Sequence, residues 1–189
     1  VMVLVRRRGA FVTELVRALK QVEVAVAGVD RMLLTDQLAV QDMMALGQFL
    51  LLPEDDLTLA IVLKGPLFGF DEELLYDLAY PRERSLWQEL RRRQGEHAAF
   101  AAAAQRLGAL LARADFAPPY ELFAEVLGAL GGRRAALARL GPEAQDPLDE
   151  FLSLALAYER MHGPSLQGFL HWLATGETEV KRDLEQRGR

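Results

Sequence analysis

Residues 53–74 constrain the fold more than any other part of the sequence, because they contain two short helical segments separated by a turn rich in glycine and proline. Each segment opens with carboxylates, and we expect Asp55 or Asp56 to cap the first helix and Asp71 to cap the second. The turn leaves backbone N–H groups near a helix start, an arrangement that can hold a phosphate. Many such turns only connect two helices, so both interpretations stay open.

From Thr35 onward, apolar residues recur at helical spacing, and the pattern predicts an all-helical region. Thr35 or Asp36 would cap its first helix, and Pro53 would end that helix. A Gly131–Gly132 pair is expected to end a later one. Another helical segment is expected to begin near Ser85, after the break at Pro81, and an alanine-rich helix over residues 96–114. Later helices are expected to start at Pro118–Pro119, at Asp146–Pro147 and at the cap Ser165.

The N-terminal residues have a different pattern. Residues 2–5 form a β-branched apolar run, residues 9–20 have helical spacing, and residues 22–26 alternate. Together they predict a β-α-β unit. Such a unit is too small to stand alone; it would be the edge of a larger sheet whose other strands are missing here, and we expect it to pack on the helices instead. Because the sequence begins on a predicted strand with no initiator context, we expect the chain to be part of a larger protein. The predicted fold class is therefore mainly α, a multi-helix domain with a small β-α-β edge.

The composition narrows the range of functions. The net charge is −5, from 22 basic and 27 acidic residues, which argues against a protein that coats nucleic acid non-specifically. The chain has no cysteine, which excludes disulfides and thiolate metal sites and is consistent with a cytoplasmic location. No apolar run reaches the roughly 18 residues that a membrane span needs. We therefore expect no membrane partner.

Residues 51–79, with the sequence LLPEDDLTLAIVLKGPLFGFDEELLYDLA, resemble the 2B subdomain of UvrD/Rep-type superfamily 1 DNA helicases. Among these, the sequence is most similar to the AddA-type helicase–nucleases of bacterial double-strand break repair. The resemblance extends to residues 3–20 (VLVRRRGAFVTELVRALK), residues 27–50 (AGVDRMLLTDQLAVQDMMALGQFL) and residues 146–173 (DPLDEFLSLALAYERMHGPSLQGFLHWL).

The resemblance implies a domain division and a function. Residues 1–30 would be the edge of the second RecA-like (2A) domain, residues 31–176 the all-helical 2B-like subdomain, and residues 177–189 a charged tail that returns to the motor. The whole protein would be an ATP-dependent DNA helicase and exonuclease of double-strand break repair and recombination. This part would guide duplex DNA and regulate unwinding, with a duplex–single-strand junction and an AddB-like subunit as partners.

The chain itself carries no expected catalytic residues. A phosphate-binding loop G-x-x-x-x-G-K-[ST] needs glycines before a lysine, and Lys20, Lys64 and Lys181 lack that setting. ATP and Mg²⁺ are therefore expected for the parent protein and no cofactor for this chain, which should be inactive alone. The three histidines are far apart in the sequence, so no zinc site is expected, and His171 beside Trp172 is interpreted as a half-buried packing residue.

The resemblance also suggests DNA-binding residues. In these helicases a G-I-G turn of 2B contacts the duplex backbone through main-chain N–H groups. Gly69 and Phe70 match its first two positions, but Asp71 stands where the second glycine would be. Because a carboxylate repels phosphate, the contact would depend on compensation by Lys64 and Gly65.

Arginine clusters supply further candidates. Arg6, Arg7 and Arg8 directly follow the first predicted strand and could bind a phosphate bidentately, or they could simply be a solvated strand end. The runs at residues 91–93 and 133–134 are interpreted as charges at helix C-termini. The alternative to a DNA-guiding function is an all-helical scaffold for protein–protein docking without direct DNA contact, which the acidic composition favours.

Overall fold

The computed structural model describes residues 31–175 and 179–181, together with Ala18. The chain divides into two compact units, of which one is Met32–Val180 and the other combines Val1–Arg31 with Lys181–Arg189. The predicted β-α-β unit lies outside the described residues, except that Ala18 is helical.

The described part of the chain is mainly helical, as the sequence predicts. Strands β1 (Arg31–Leu33) and β2 (Glu179–Lys181) pair with each other at the two ends of the helical region. The helices between them are α1 (Leu38–Leu51), α2 (Asp56–Lys64), α3 (Glu72–Ala79), α4 (Leu86–Arg92), α5 (Ala98–Ala114), α6 (Pro119–Leu127), α7 (Gly132–Leu140), α8 (Gln145–His162) and α9 (Leu166–Thr175).

Side-chain caps begin four helices. Asp55 accepts hydrogen bonds from the N–H groups of Leu57 at 3.1 Å and Thr58 at 3.2 Å. Asp71, Ser85 and Ser165 each accept one from the N–H three residues further on, at 2.8, 3.3 and 3.1 Å. Each bond satisfies one of the donors that a helix start leaves unpaired. The predicted caps of α2, α3 and α9 are thus confirmed, and Ser85 caps α4 in addition.

The predicted start of α1 is wrong. Thr35 and Asp36 lie in a short 3-10 segment, Leu34–Asp36, and Gln37 occupies the N-cap position without a side-chain hydrogen bond. Leu34 is fully buried. The chain makes a 3-10 turn that buries this leucine before the helix begins, so the local capping signal at Thr35 and Asp36 is not used.

Two predictions about later helices are also corrected. Gly131 and Gly132 do not end α6, which stops at Leu127; Gly131, with a φ of 77°, is the N-cap of α7, a helix that the sequence analysis missed. Asp146 lies inside the first turn of α8 and not at its cap, because the 3-10 segment Pro142–Ala144 leads directly into that helix.

An aromatic cluster forms the centre of the core where α6, α8 and α9 meet. Phe123 lies 4.8 Å from Phe151, and Phe151 lies 5.4 Å from Phe169, both pairs edge to face. This is the arrangement that aromatic quadrupoles favour. Helix α1 packs against the cluster through Gly47, where a Cβ would lie only 2.8 Å from Cδ1 of Leu170. A second set of contacts joins Phe49 to Trp87, at 5.7 Å.

Candidate nucleic-acid interface

The turn between α2 and α3 is closed by its own backbone hydrogen bonds. The N–H of Gly65 donates to Ile61 O at 2.9 Å, and the N–H of Gly69 donates to Gly65 O at 2.8 Å. The N–H groups of Phe68 and Phe70 donate to Gly65 O and Leu63 O at 3.3 and 2.9 Å. These four donors are therefore already engaged, and they are not arranged to receive a phosphate.

Gly69 and Phe70 have structural roles in this turn. Gly69 has a φ of 66°, a conformation that glycine adopts without strain, and a Cβ there would meet no atom within 4 Å. The positive φ, and not a lack of room for a side chain, therefore explains why glycine stands at this position. The Phe70 ring is 4% exposed and packs 5.8 Å from Phe100, so it anchors the turn to α5.

Two basic residues, Lys64 and Arg139, make contacts where α2 ends and the turn begins. The Lys64 ammonium pairs with the Glu72 carboxylate at the start of α3, while 39% of the lysine side chain stays exposed. The guanidinium of Arg139, on α7, donates to the Lys64 carbonyl oxygen. Arg139 comes 75 residues after Lys64, so sequence spacing alone gave no signal for this neighbour.

Behind the turn lies a cavity of about 10 Å³, which has an almost entirely apolar lining and is bordered by Asp42. The other lining residues include Met43, Leu46, Gly65 and Gly132. Burial raises the pKa of Asp42, and the nearby charge of Arg139 partly opposes that rise. The cavity has room for about one water molecule, which is too little for a nucleotide or an organic ligand.

The carboxylates around the turn are structural. Asp55 and Asp71 cap helices, as described, and Thr58 Oγ1 adds a 2.7 Å hydrogen bond to Asp55. Asp56 makes a tertiary contact that the sequence did not indicate, with Arg82 Nη2 and the Leu86 N–H each at 2.6 Å. Among the described residues, no three histidine or acidic side chains are grouped so that they could hold a metal ion.

The arginine predictions have mixed outcomes. Arg6, Arg7 and Arg8 lie outside the described residues, and their contact with DNA stays a prediction. Arg91 and Arg92 occupy the last turn of α4, as expected for charges at a helix C-terminus. The run at residues 133–134 is instead in the first turn of α7, so the dipole argument was wrong for it, and an ion pair of Arg133 with Asp149 at 2.6 Å offsets the position.

The histidines are separate and have local roles. His97 caps α5 by accepting from the Ala99 N–H at 3.1 Å. His162 stacks on Tyr158 with ring centroids 4.7 Å apart. His171 is exposed, which corrects the expectation that it packs half-buried; its neighbour Trp172 has the half-buried position instead.

Arg93 fixes α3 against α4 and α5, a role that the sequence did not predict. Arg93 pairs with Asp77 at 2.9 Å and with Glu96 at 2.6 Å, and its guanidinium lies 5.4 Å from the Phe100 ring centroid. It was interpreted only as one of three charges at a helix end. Nothing in the local sequence distinguishes Arg93 from the neighbouring Arg91 and Arg92.

Comparisons with known proteins do not identify a family for this chain, so its family stays a prediction. No protein-family model matches the sequence, and no curated protein matches it. Within the part of the chain that the structure describes, no helix combines the length and apolar character needed to cross a membrane.

Proposed function

We propose that this chain is the 2B-type part of an ATP-dependent DNA helicase–exonuclease of double-strand break repair, in which it guides duplex DNA and regulates unwinding. The observation that carries the proposal is the pairing of β1 with β2, since it brings the beginning and the end of the helical unit to one place. A domain inserted into another domain needs neighbouring ends. The resemblance of residues 51–79 to UvrD/Rep-type enzymes supplies the enzyme class.

In this proposal the DNA contact is made by side chains and not by the main chain of the turn. The candidate cations are the Lys64 ammonium, which is paired with Glu72, and the Arg139 guanidinium, which binds the Lys64 backbone carbonyl. The four N–H groups already donate inside the turn. A duplex phosphate would therefore compete with Glu72 for Lys64, and the contact would weaken with salt.

The remaining parts of the proposed enzyme lie beyond this chain. The motor domains would bind ATP and Mg²⁺, an AddB-like subunit would complete the complex, and the enzyme would act in the cytoplasm. The coding sequence on both sides of this chain gives the first test. A G-x-x-x-x-G-K-[ST] loop upstream supports the proposal. A stop codon directly after codon 189, with no motor motif upstream, contradicts it.

Fluorescence anisotropy of a labelled duplex–single-strand junction tests the DNA contact. We expect binding at low salt that weakens at near-physiological salt, and a loss on the order of tenfold in Lys64→Glu or Arg139→Glu. Arg160→Glu is the matched control, because it reverses the same charge at an exposed position on α8. An unchanged affinity in the turn variants would remove the turn from the interface, and no binding at low salt would contradict DNA guiding by this chain.

A protein-docking scaffold without direct DNA contact is the second candidate function. The observation that favours it is that the Lys64 ammonium and four N–H groups of the turn already have partners within the protein. The two candidates differ in the junction experiment, since a docking scaffold gives no salt-sensitive anisotropy signal.

A further inference from the structure

Tyr76 and Tyr80 form an exposed aromatic pair along the outer side of α3 and its C-cap. Each side chain is 65% exposed, and the two rings stack with centroids 5.6 Å apart and an angle of 25° between their planes. The spacing of four residues places them one helical turn apart. The stacked rings therefore present apolar and π-electron surface to solvent, beside a helix whose Leu78 is fully buried in the core.

Three exposed carboxylates stand close to this pair along the chain. Glu73 and Asp77 lie three residues before each tyrosine, on the same side of the helix, and Glu83 follows in the next connection. All three are exposed. We call Glu73, Tyr76, Asp77, Tyr80 and Glu83 the acidic tyrosine face.

We propose that the acidic tyrosine face binds an arginine- or lysine-rich peptide segment of a protein partner. A guanidinium or ammonium is attracted to the negative face of a tyrosine ring, and the exposed carboxylates of Glu73 and Glu83 can pair with the same cations. Asp77 is bound by Arg93 and serves to hold the helix. The face offers both kinds of acceptor within about two helical turns, roughly 12 Å. This inference goes beyond the proposed function and rests on neither of its two candidates.

Charge decides between a peptide and a nucleic acid as the occupant. Residues 71–84 contain the five carboxylates of Asp71, Glu72, Glu73, Asp77 and Glu83 and only the two arginines Arg82 and Arg84. Arg82 is paired with Asp56 at 2.6 Å, and among the carboxylates Glu72 is paired with Lys64 and Asp77 with Arg93. The charges of Asp71, Glu73 and Glu83 then stand against that of Arg84. A phosphate backbone would therefore meet net negative charge where the rings are, although exposed aromatic rings can stack with unpaired bases.

The face is held in place before any partner binds. Arg93 donates to both the carboxylate and the backbone carbonyl of Asp77, and Arg82 donates to the Ala79 carbonyl at 3.0 Å next to Tyr80. These bonds attach the helix to α4 and to the connection that follows it. Preorganisation of this kind lowers the entropy lost on binding.

Anisotropy of a fluorescein-labelled peptide of alternating arginine and glycine tests the proposal, with a glutamate–glycine peptide and a labelled oligo-dT of similar length in parallel. The chain is expected to bind only the cationic peptide, with an affinity that falls as salt rises. The double substitution Tyr76→Leu with Tyr80→Leu keeps apolar bulk and removes the π faces. It should weaken binding about five-fold or more.

Two further variants separate this face from the rest of the surface. The pair Glu73→Gln with Glu83→Gln keeps both tyrosines and should weaken binding and reduce its salt dependence. Phe116→Leu changes an aromatic side chain that is 84% exposed outside the face, and it should bind as the unsubstituted chain does. Cationic-peptide binding that is unchanged in both double variants overturns the proposal. So does oligo-dT binding that the tyrosine substitutions abolish, because the face would then be a nucleic-acid surface.

Discussion

Asp56 accepts a hydrogen bond from the backbone N–H of Leu86 at 2.6 Å, across 30 residues of chain. Its other carboxylate oxygen accepts from Arg82 at 2.6 Å. A residue in the first turn of α2 thereby supplies a partner to an N–H at the start of α4, which Ser85 caps by a separate bond. One carboxylate thus fixes the position of the connection that carries Arg82 beside the acidic tyrosine face.

Asp56→Ala is expected to lower the free energy of unfolding by about 1–3 kcal/mol, because it leaves the Leu86 N–H without its acceptor and removes a charge-assisted bond to Arg82. Urea unfolding followed by circular dichroism measures the change. Glu54→Ala is the matched control, since Glu54 is exposed two residues earlier and should change stability little. Equal effects of both substitutions would show that the tertiary bonds of Asp56 contribute nothing.

Gly132→Ala is expected to destabilise the protein by about 1–3 kcal/mol, because a Cβ at this position would lie 2.6 Å from the backbone oxygen of Val126. Backbone cannot yield as a flexible side chain does. Gly108→Ala, inside α5 with no atom within 4 Å of its Cβ position, should instead raise stability by about 0.5–1 kcal/mol. Thermal unfolding of both variants checks the opposite signs, and a Gly132→Ala protein as stable as the parent would refute the close approach.

Glu89 is expected to make the free energy of unfolding depend on pH. The side chain is 6% exposed, and Arg92 binds it through two hydrogen bonds of 2.7 and 3.1 Å. These bonds hold the pKa of Glu89 below its ordinary value of 4.5, so the unfolded chain takes up the proton first as the pH falls. The resulting stabilisation is present above about pH 4.5 and is lost as the pH falls through the lowered pKa.

Urea unfolding of Glu89→Gln at about pH 6 and about pH 3 tests this linkage. The variant should be less stable than the parent at the higher pH, and it should lose less free energy of unfolding between the two pH values. Glu121→Gln, at an exposed position in the first turn of α6, should retain the pH dependence of the parent. A pH dependence in Glu89→Gln as steep as in the parent would contradict the assignment.

Asp42 should change the pH dependence of stability in the direction opposite to that of Glu89. Its pKa is raised by burial, so its ionisation at neutral pH opposes folding, and this cost disappears below the unfolded pKa of about 3.8. Asp42→Asn is therefore expected to raise the free energy of unfolding at about pH 7 and to have little effect at about pH 3. A variant that loses stability at neutral pH would show that the attraction to Arg139 outweighs the cost of burial.

The sequence predicted local features of the helices better than features that depend on distant contacts. Asp55, Asp71 and Ser165 were identified as caps because a cap needs only the next three residues. The start of α1 was misplaced because the buried Leu34, a tertiary feature, follows the strand directly. Helix α7 was missed because Gly131 and Gly132 carry the usual signal for a helix end. Gly132 instead lies in the first turn of α7, close to the backbone of Val126, a contact that local sequence does not indicate.

The same distinction applies to the candidate site. The glycine-punctuated turn and its flanking helices were predictable from the order of residues 53–74. Arg139, which lies beside Lys64 only after α7 has packed, was not. Nor did the sequence indicate that Phe70 would enter the core while Tyr76 and Tyr80 stay exposed, since all three are aromatic residues on or near one short helix.

The pairing of β1 with β2 also has a thermodynamic consequence. Roughly 150 residues separate the two strands in the sequence. Because the helical unit is folded, it already holds them close together, and their pairing costs little further chain entropy. If the unit unfolded, closing that flexible loop would cost about 4 kcal/mol in chain entropy. The two-stranded ladder is therefore stable only while the helical unit is folded. Unfolding of the helices and loss of the ladder are expected to be one cooperative event.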